Sequence, residues 1–190
     1  MEKFLYLTEK EWFQPWVYGG NVPLSLASKY KKDERHGIYT PDENLVDSST
    51  HDLNKVFGGG VNLMGTNHVF IDSYVNGELF PFMQYNRTFE DGLILCLANR
   101  RSNYIAKKLK KFSCVKILDV ENLKLILDEQ IGVVSEMGPC KYTSSHIRNC
   151  FTKSNLDSWQ DEYRLFWPGA EPRDVFIPKG TATRISIRCS

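Results

Sequence analysis

Two polar side chains, Gln160 and Glu162, stand two residues apart directly before the largely apolar run Tyr163–Trp167. A short apolar run of this kind predicts a buried strand. Successive side chains of a strand point to opposite faces, so residues two apart project to the same side. A carboxylate and an amide side by side at the mouth of a strand can bind a sugar and stabilise positive charge on it. The spacing therefore predicts that Gln160 and Glu162 act together on a sugar.

The Gln-x-Glu triplet alone is a weak signal, because so short a pattern recurs by chance. The alternative for Glu162 is an ion pair at the edge of a sheet, with Arg164 as one candidate partner. The neighbouring segments favour the catalytic interpretation. A polar loop, Lys153–Ser158, and Trp159 precede the triplet, and the apolar strand, a turn at Pro168-Gly169 and two closing strands follow it.

This C-terminal third resembles the end of an ADP-ribosyltransferase domain, where a turn-turn loop presents Gln-x-Glu or Glu-x-Glu ahead of a strand and a hairpin. It is most similar to the DarT-type nucleic-acid ADP-ribosyltransferases. The resemblance implies transfer of ADP-ribose from NAD through an oxocarbenium-like centre, with no metal. Glu162 would accept a hydrogen bond from the ribose 2′-hydroxyl and stabilise the developing charge, and Gln160 would orient the acceptor.

The NAD site of this family usually carries an arginine or histidine at the end of the first strand. Here Tyr6 or Thr8 occupies that place. Arg35 would then supply the cation for the pyrophosphate, or it is a plain surface arginine. In the family a serine-rich segment supports the ribose of the cofactor. Ser49 is the candidate for this role, and Thr143–Ser145 is the alternative.

The resemblance favours RNA or single-stranded DNA as the acceptor, because the bases of an unpaired strand are accessible. Arg148, Lys153 and Arg164 flank the catalytic strand and are candidates to meet an anionic acceptor. The basic run at 100–111, with Tyr104, would track a phosphate backbone or would be a solvated helix face.

Such enzymes commonly act as toxins in toxin–antitoxin or phage-defence systems, so the resemblance implies a neutralising antitoxin protein. Two alternatives remain open. One is ADP-ribosylation of a protein side chain, or simple hydrolysis of NAD. The other is a non-catalytic binding module with the same fold, which the lack of an arginine or histidine at Tyr6–Thr8 favours.

These residues are positioned by many short predicted strands and a few helices, which do not alternate regularly. This pattern predicts an α+β fold, formed by residues 1–190 as a single domain. The resemblance specifies a split mixed β-sheet of the ADP-ribosyltransferase type, with a few helices and a long N-terminal loop region at about 18–65. Helices are predicted at about 9–16, at 101–112 and from residue 119 or 120 onward. Strands are predicted at Phe4–Leu7, Leu93–Leu97, Val115–Leu118, Lys141–Ser144, Tyr163–Trp167, Val175–Ile177 and Arg184–Arg188.

The composition is ordinary for a soluble globular protein. The 190 residues are 42% hydrophobic, and the net charge of +1 argues against a protein that holds duplex nucleic acid by a basic surface alone. The five cysteines and four histidines have no metal-ligand spacing, so no metal site is expected. Neither a secretory leader nor an apolar run of about 20 residues is visible. We therefore expect a cytoplasmic protein without membrane contact.

Overall fold

The computed structural model describes residues 1–31, 45–47, 67–75, 77–89, 91–145 and 149–188. Arg35, Ser49 and Arg148 lie outside the described residues, so their predicted roles stay predictions. The described chain is α+β, with mostly antiparallel sheets and few helices, and this part of the fold prediction is confirmed. None of the described helices is long and apolar enough to cross a membrane.

The described elements alternate between many short strands and a few helices. The strands are β1 (Lys3–Leu7), β2 (Gly20–Leu26), β3 (Leu45–Asp47), β4 (Asn67–Val75), β5 (Glu78–Phe89), β6 (Gly92–Ala98), β7 (Ser113–Ile117), β8 (Glu136–Pro139), β9 (Lys141–Thr143), β10 (Thr152–Ser154), β11 (Glu162–Pro168), β12 (Arg173–Ile177) and β13 (Ala182–Ile185). The α-helices are α1 (Gln14–Tyr18), α2 (Asn103–Lys108) and α3 (Val120–Ile131), and 3₁₀ helices cover Lys10–Phe13, Ala27–Lys31 and Asn155–Gln160.

The large sheet has the strand order β12-β2-β6-β1-β7-β13, and β11 pairs with both β6 and β8. Its described strand pairs are all antiparallel. The parallel pairing that a mixed sheet requires occurs instead in the separate pair β9 and β10. A third sheet has the order β3-β5-β4.

Strand β6 divides the large sheet. One of its edges pairs with β11 along its whole length, from Gly92 to Ala98. The other edge is shared, because β2 pairs only with Leu93 and Ile94 while β1 pairs only with Ala98. Within the described residues, no strand pairs with this second edge at Leu95–Leu97. Strands β1 and β2 thus diverge from β6 in opposite directions and leave a split between them.

Helix α3 covers one face of the sheet and fixes the orientation of β11. Its stripe of Leu123, Leu127 and Ile131 is buried, in a cluster that also contains the side chains of β11 facing this side, namely Tyr163, Leu165 and Trp167. Asp119 caps the helix by accepting from the backbone N–H of Glu121, and Gly132 ends it with a left-handed φ of 77°. Because strand side chains alternate, Glu162 and Arg164 face the opposite side of the sheet.

The N-terminal loop prediction is wrong at residues 20–31, which form β2 and a 3₁₀ helix. Strand β2 follows the period of two, with Val22 and Leu24 buried and Asn21 and Pro23 exposed. The proline and the flanking glycines obscured this alternation. Pro23 is tolerated because β2 pairs with β12 on one side and is unpaired with β6 at this position.

Other elements differ from the predictions at their ends. Helix α2 is shorter than the predicted 101–112, because Ser102 caps its start and Lys110 adopts a left-handed φ of 54°. The last strand is Ala182–Ile185 rather than Arg184–Arg188. The sequence reading assigned no element to the hairpin of β4 and β5.

Candidate active site

A 3₁₀ helix and a left-handed turn bring Gln160 and Glu162 together. Gln160 is the last residue of the 3₁₀ helix Asn155–Gln160, Asp161 has a φ of 48°, and Glu162 is the first residue of β11. The expectation that strand alternation pairs the two side chains is therefore wrong for Gln160. Asn99 holds the turn, since its backbone N–H donates to the Asp161 carbonyl at 2.9 Å and its amide donates to the Asp161 carboxylate at 2.9 Å.

Lys153 joins the two functional groups. Its Nζ donates to Gln160 Oε1 at 2.8 Å and to Glu162 Oε1 at 3.3 Å. The other end of the Gln160 amide donates from Nε2 to Asp157 Oδ1 at 3.0 Å. Gln160 and Asp157 are 2% and 0% exposed, so the amide is held at both ends inside the protein.

Arg164 holds the other oxygen of Glu162. Its Nε and Nη2 lie 2.7 and 2.6 Å from Glu162 Oε2, and its Nη1 donates to the carbonyl of Cys150. The ion pair that the sequence offered as an alternative for Glu162 is therefore present. It does not exclude a catalytic role, because the side chain of Glu162 is 14% exposed while that of Arg164 is 1% exposed.

The charges around Glu162 keep its carboxylate ionised. Burial alone would raise its pKa, but the positive charges of Arg164 and Lys153 outweigh burial and lower the pKa to about 2. Two further groups contact Glu162: the Tyr142 hydroxyl accepts from its backbone N–H at 2.8 Å, and Cys140 Sγ lies 3.6 Å from its Oε2. Burial raises the pKa of both Tyr142 and Cys140, so both stay neutral.

The split in the sheet opens into a cavity of about 940 Å³ that ends at this cluster. Three diverging strand edges line the cavity at Leu5–Leu7, Asn21–Leu24 and Leu95–Leu97. Its charged lining residues in the described chain are four cations and two carboxylates, namely Lys29, Lys111, Lys153, Arg164, Glu11 and Glu162. The excess of positive charge favours an anionic ligand.

The structure places both predicted N-terminal residues on the wall of this cavity. The Tyr6 hydroxyl is committed to the loop before α2, because it donates to the Arg100 carbonyl at 3.0 Å and accepts from the Ser102 N–H at 2.6 Å. Burial raises the pKa of Tyr6 to about 12. Thr8 accepts a hydrogen bond from Lys111 Nζ at 2.8 Å.

Sequence reasoning gave three residues of the site no part in it. Lys111 was assigned to the surface run, and Tyr142 and Asp157 were given no role. Only the contact of Asp157 with Gln160 could have been found in the sequence, because the two residues are three apart, a spacing that brings side chains together on a helix. Lys153 and Arg164, predicted as acceptor contacts, are 2% and 1% exposed and are placed to orient Glu162.

In the part of the chain that the structure describes, no group of three or more histidine, cysteine, aspartate or glutamate side chains could hold a metal ion. Comparison with protein-family models, with curated proteins and with solved structures finds no match for this chain. Its function has to be inferred from the residues of the site.

Lys153 leads to a prediction on pH dependence. In the Lys153→Met variant the pKa of Glu162 should rise from about 2 toward the ordinary glutamate value, because one of its two cations is gone. Glu162 would then lose its charge at a higher pH as the solution is acidified. A carboxyl titration followed by NMR, with the exposed Lys141→Met on β9 as the control, measures this shift. An unchanged pKa in Lys153→Met would show that Arg164 alone keeps Glu162 ionised.

Proposed function

We propose that this protein transfers ADP-ribose from NAD to a macromolecular acceptor, with Glu162 as the catalytic carboxylate. The observation that carries the proposal is the position of Glu162. It is an ionised carboxylate at the end of a 940 Å³ cavity, held by two buried cations beside an anchored glutamine amide. A volume of this size is within the range of about 300–1,000 Å³ that small-ligand sites occupy.

The two oxygens of Glu162 differ in how much hydrogen-bonding capacity they have left. Oε2 already accepts two hydrogen bonds from Arg164, whereas Oε1 has one contact with Lys153 at 3.3 Å. A carboxylate offers about four lone-pair sites, so Oε1 can accept a further bond from a ribose 2′-hydroxyl. Arg164 would keep the carboxylate in place while Oε1 binds the sugar.

The bond changes follow from the chemistry of the glycosidic bond. The bond between the ribose C1′ and the nicotinamide nitrogen breaks, and its electron pair leaves with nicotinamide. The acceptor's lone pair forms the new bond at C1′, and the acceptor's proton is released to solvent water. Glu162 stabilises the positive charge on the sugar between these steps. Its low pKa favours this electrostatic role, because so weak a base is poorly matched to removing a proton near neutral pH.

The cavity wall supports NAD as the substrate. Lys111 lies on the wall next to Thr8 and supplies a cation for the pyrophosphate, close to where the family's arginine or histidine would stand. Strand β6 lines the cavity at Leu95 and Leu97, where neither β1 nor β2 pairs with it, so its backbone can approach the amide and hydroxyls of the substrate. The lining also includes Trp12, which is 54% exposed and whose ring can pack on a base or on nicotinamide.

The resemblance of the Gln160–Glu162 segment favours unpaired bases of RNA or single-stranded DNA as the acceptor. It also favours a role as a toxin in a toxin–antitoxin or phage-defence system, with a neutralising protein as the partner. Transfer to a protein side chain or NAD hydrolysis is the second candidate, which the same Glu162 geometry would serve. Both candidates use NAD as a substrate and require no metal.

The test is incubation of the purified protein with labelled NAD and separate pools of RNA, single-stranded DNA and cell protein. Label in a nucleic-acid pool would support the proposal and identify the acceptor class. Label in the protein pool, or release of free ADP-ribose, would favour the second candidate. Intact NAD and no label in any pool would reject both and leave a binding module.

Binding of NAD should stabilise the folded protein. At an NAD concentration of about 100 times the Kd, we expect the melting temperature to rise by about 5–10 °C. Lys111→Met should weaken binding roughly tenfold or more, because the variant lacks the charge-assisted hydrogen bond to the pyrophosphate. The measurement is a thermal-shift titration with NAD, and with nicotinamide and adenosine as ligands that lack the pyrophosphate.

Lys116→Met is the matched control for that titration, since Lys116 lies on β7 outside the cavity lining and pairs with Glu2. It should respond to NAD as the wild type does. An equal response of Lys111→Met would remove Lys111 from the NAD site without affecting the role of Glu162.

A further inference from the structure

Two aromatic rings and a lysine meet on the surface beside the Gln160–Glu162 turn. Trp159 directly precedes Gln160, and its ring centroid lies 6.0 Å from that of Tyr104 on α2, at an interplanar angle of 86°. The Nζ of Lys108 lies 4.0 Å from the Trp159 centroid and 5.7 Å from the Tyr104 centroid. Tyr104 is 59% exposed, although large aromatic side chains are usually better buried.

The charge of this region is strongly one-sided. Residues 92–118 contain seven lysines and arginines and no aspartate or glutamate, although the whole chain has a net charge of only +1. Lys107, Lys108 and Lys110 are exposed, and none of them has a carboxylate partner within the described residues. The other basic side chains near α2 have partners in the protein: Arg100 pairs with Asp161, Arg101 donates to the Ser186 carbonyl and Lys111 donates to Thr8.

We propose that this aromatic–lysine patch, formed by Tyr104, Lys107, Lys108 and Trp159, binds the single-stranded nucleic acid that flanks the modified nucleotide. The assignment rests on the proposed transfer of ADP-ribose. Lysines alone would suit any polyanion, but an exposed ring next to them favours nucleic acid, because every base has a face that stacks on an aromatic side chain. An acidic protein surface offers such a face only where an aromatic side chain stands among its carboxylates.

The position of the patch fits this role. Trp159 and Gln160 are adjacent in the chain, and the guanidinium of Arg100 lies 3.3 Å from the carboxylate of Asp161 in the same turn. Helix α2 also lines the cavity through Ile105, as does Leu109 at its end, so a strand held on the patch lies beside the catalytic turn. A base stacked on Tyr104 would leave its neighbour free to enter the cavity toward Glu162. An unpaired strand can present its bases in this splayed manner, whereas a duplex cannot without base flipping.

The test measures strand binding without NAD, by fluorescence anisotropy of labelled 20-nucleotide RNA and DNA. Tyr104→Ala should weaken binding roughly 5- to 100-fold, because it removes a stacking surface. Replacing Lys107 and Lys108 by glutamine should lower the slope of log K against log salt by about 0.7 for each lysine that contacts a phosphate. All these side chains are exposed, so circular dichroism should show the variants folded.

The controls are Phe176→Ala, which removes a 53% exposed aromatic ring on β12, and Lys179→Gln, which removes an exposed lysine. Both should bind the strand as the wild type does. Strand binding that Tyr104→Ala and the lysine changes leave unaltered would overturn the proposal, even where NAD label reaches nucleic acid. Strand binding that depends on these residues, without any NAD turnover, would support the patch and reject the transferase.

A polyglutamate peptide tests the other class of partner. If the peptide competes as well as the oligonucleotide, and Tyr104→Ala has no effect on either, the patch binds an acidic protein and our assignment is wrong. Failure of the wild type to bind any single strand at about 50 mM salt would overturn it as well.

Discussion

Glu162→Gln is expected to reduce transfer of ADP-ribose by a factor of about 10²–10³ or more, while NAD binding is largely retained. The substitution keeps the size of the side chain and loses the charge that would stabilise the oxocarbenium-like sugar. The glutamine can still accept one hydrogen bond, so the ribose hydroxyl keeps a partner in the ground state. Initial rates with labelled NAD and the preferred acceptor, together with a binding titration, separate the two effects.

The stability of Glu162→Gln has to be controlled, because Arg164 and Lys153 remain buried without a carboxylate. Rates should be compared at a temperature at which circular dichroism shows both proteins folded. Glu162→Asp is a second variant that keeps the charge and moves it by about one methylene. If Glu162→Asp is nearly as stable as the wild type but less active, then activity depends on where the carboxylate lies and not only on its charge. Full activity in a folded Glu162→Gln would remove Glu162 from the mechanism.

Glu136→Gln provides a matched control. Glu136 lies on β8, the strand that pairs with β11, and it is exposed. The same chemical change there should leave both the rate and the melting temperature unaltered. A comparable loss in both variants would point to a general effect of the substitution on this part of the sheet.

Arg164→Met is expected to lower the free energy of unfolding by about 3–5 kcal/mol, because it leaves the mostly buried Glu162 with one cation in place of two. Arg164 also donates to the Cys150 carbonyl, which would lose that partner. Urea unfolding measures the change through the transition midpoint. Arg173→Met on β12 is the control, since Arg173 has one hydrogen bond to the Ile131 carbonyl, and we expect a loss of about 1 kcal/mol.

The double variant Glu162→Gln with Arg164→Met distinguishes a charge effect from a packing effect. If the cost of Arg164→Met is mainly an unpaired charge, the second substitution should recover part of it, and the two changes will not be additive. Strict additivity would mean that Arg164 stabilises the sheet by packing and by its contact with Cys150.

The part of the stability that comes from the charge of Glu162 should be lost at low pH. The pKa of Glu162 is lowered in the folded protein, so its contribution is present above the ordinary glutamate pKa and is lost as the pH falls toward about 2.

The sequence alone determined the local elements and the chemistry of the motif. The run of largely apolar residues placed the strand at Tyr163–Trp167, and the structure has it at Glu162–Pro168. The stripe of Leu123 and Leu127 likewise predicted a helix from residue 119 or 120 onward, and the structure has α3 at Val120–Ile131. These features depend on residues within a few positions of one another, which is the range over which periodicity and capping operate. The spacing of Glu162 and Arg164 along one strand also made their ion pair predictable.

Only the tertiary structure decided what surrounds Glu162. Lys153 and Tyr142 come from β10 and β9, and Thr8 and Lys111 meet across 103 positions of the chain. Such contacts depend on which strands pair and on where β1 and β2 each pair with β6, and no local pattern of side chains specifies either. The same applies to the cavity, which exists because β1 and β2 each pair with a different end of β6. Sequence thus specified the carboxylate, while strand pairing supplied its cations and the space in front of it.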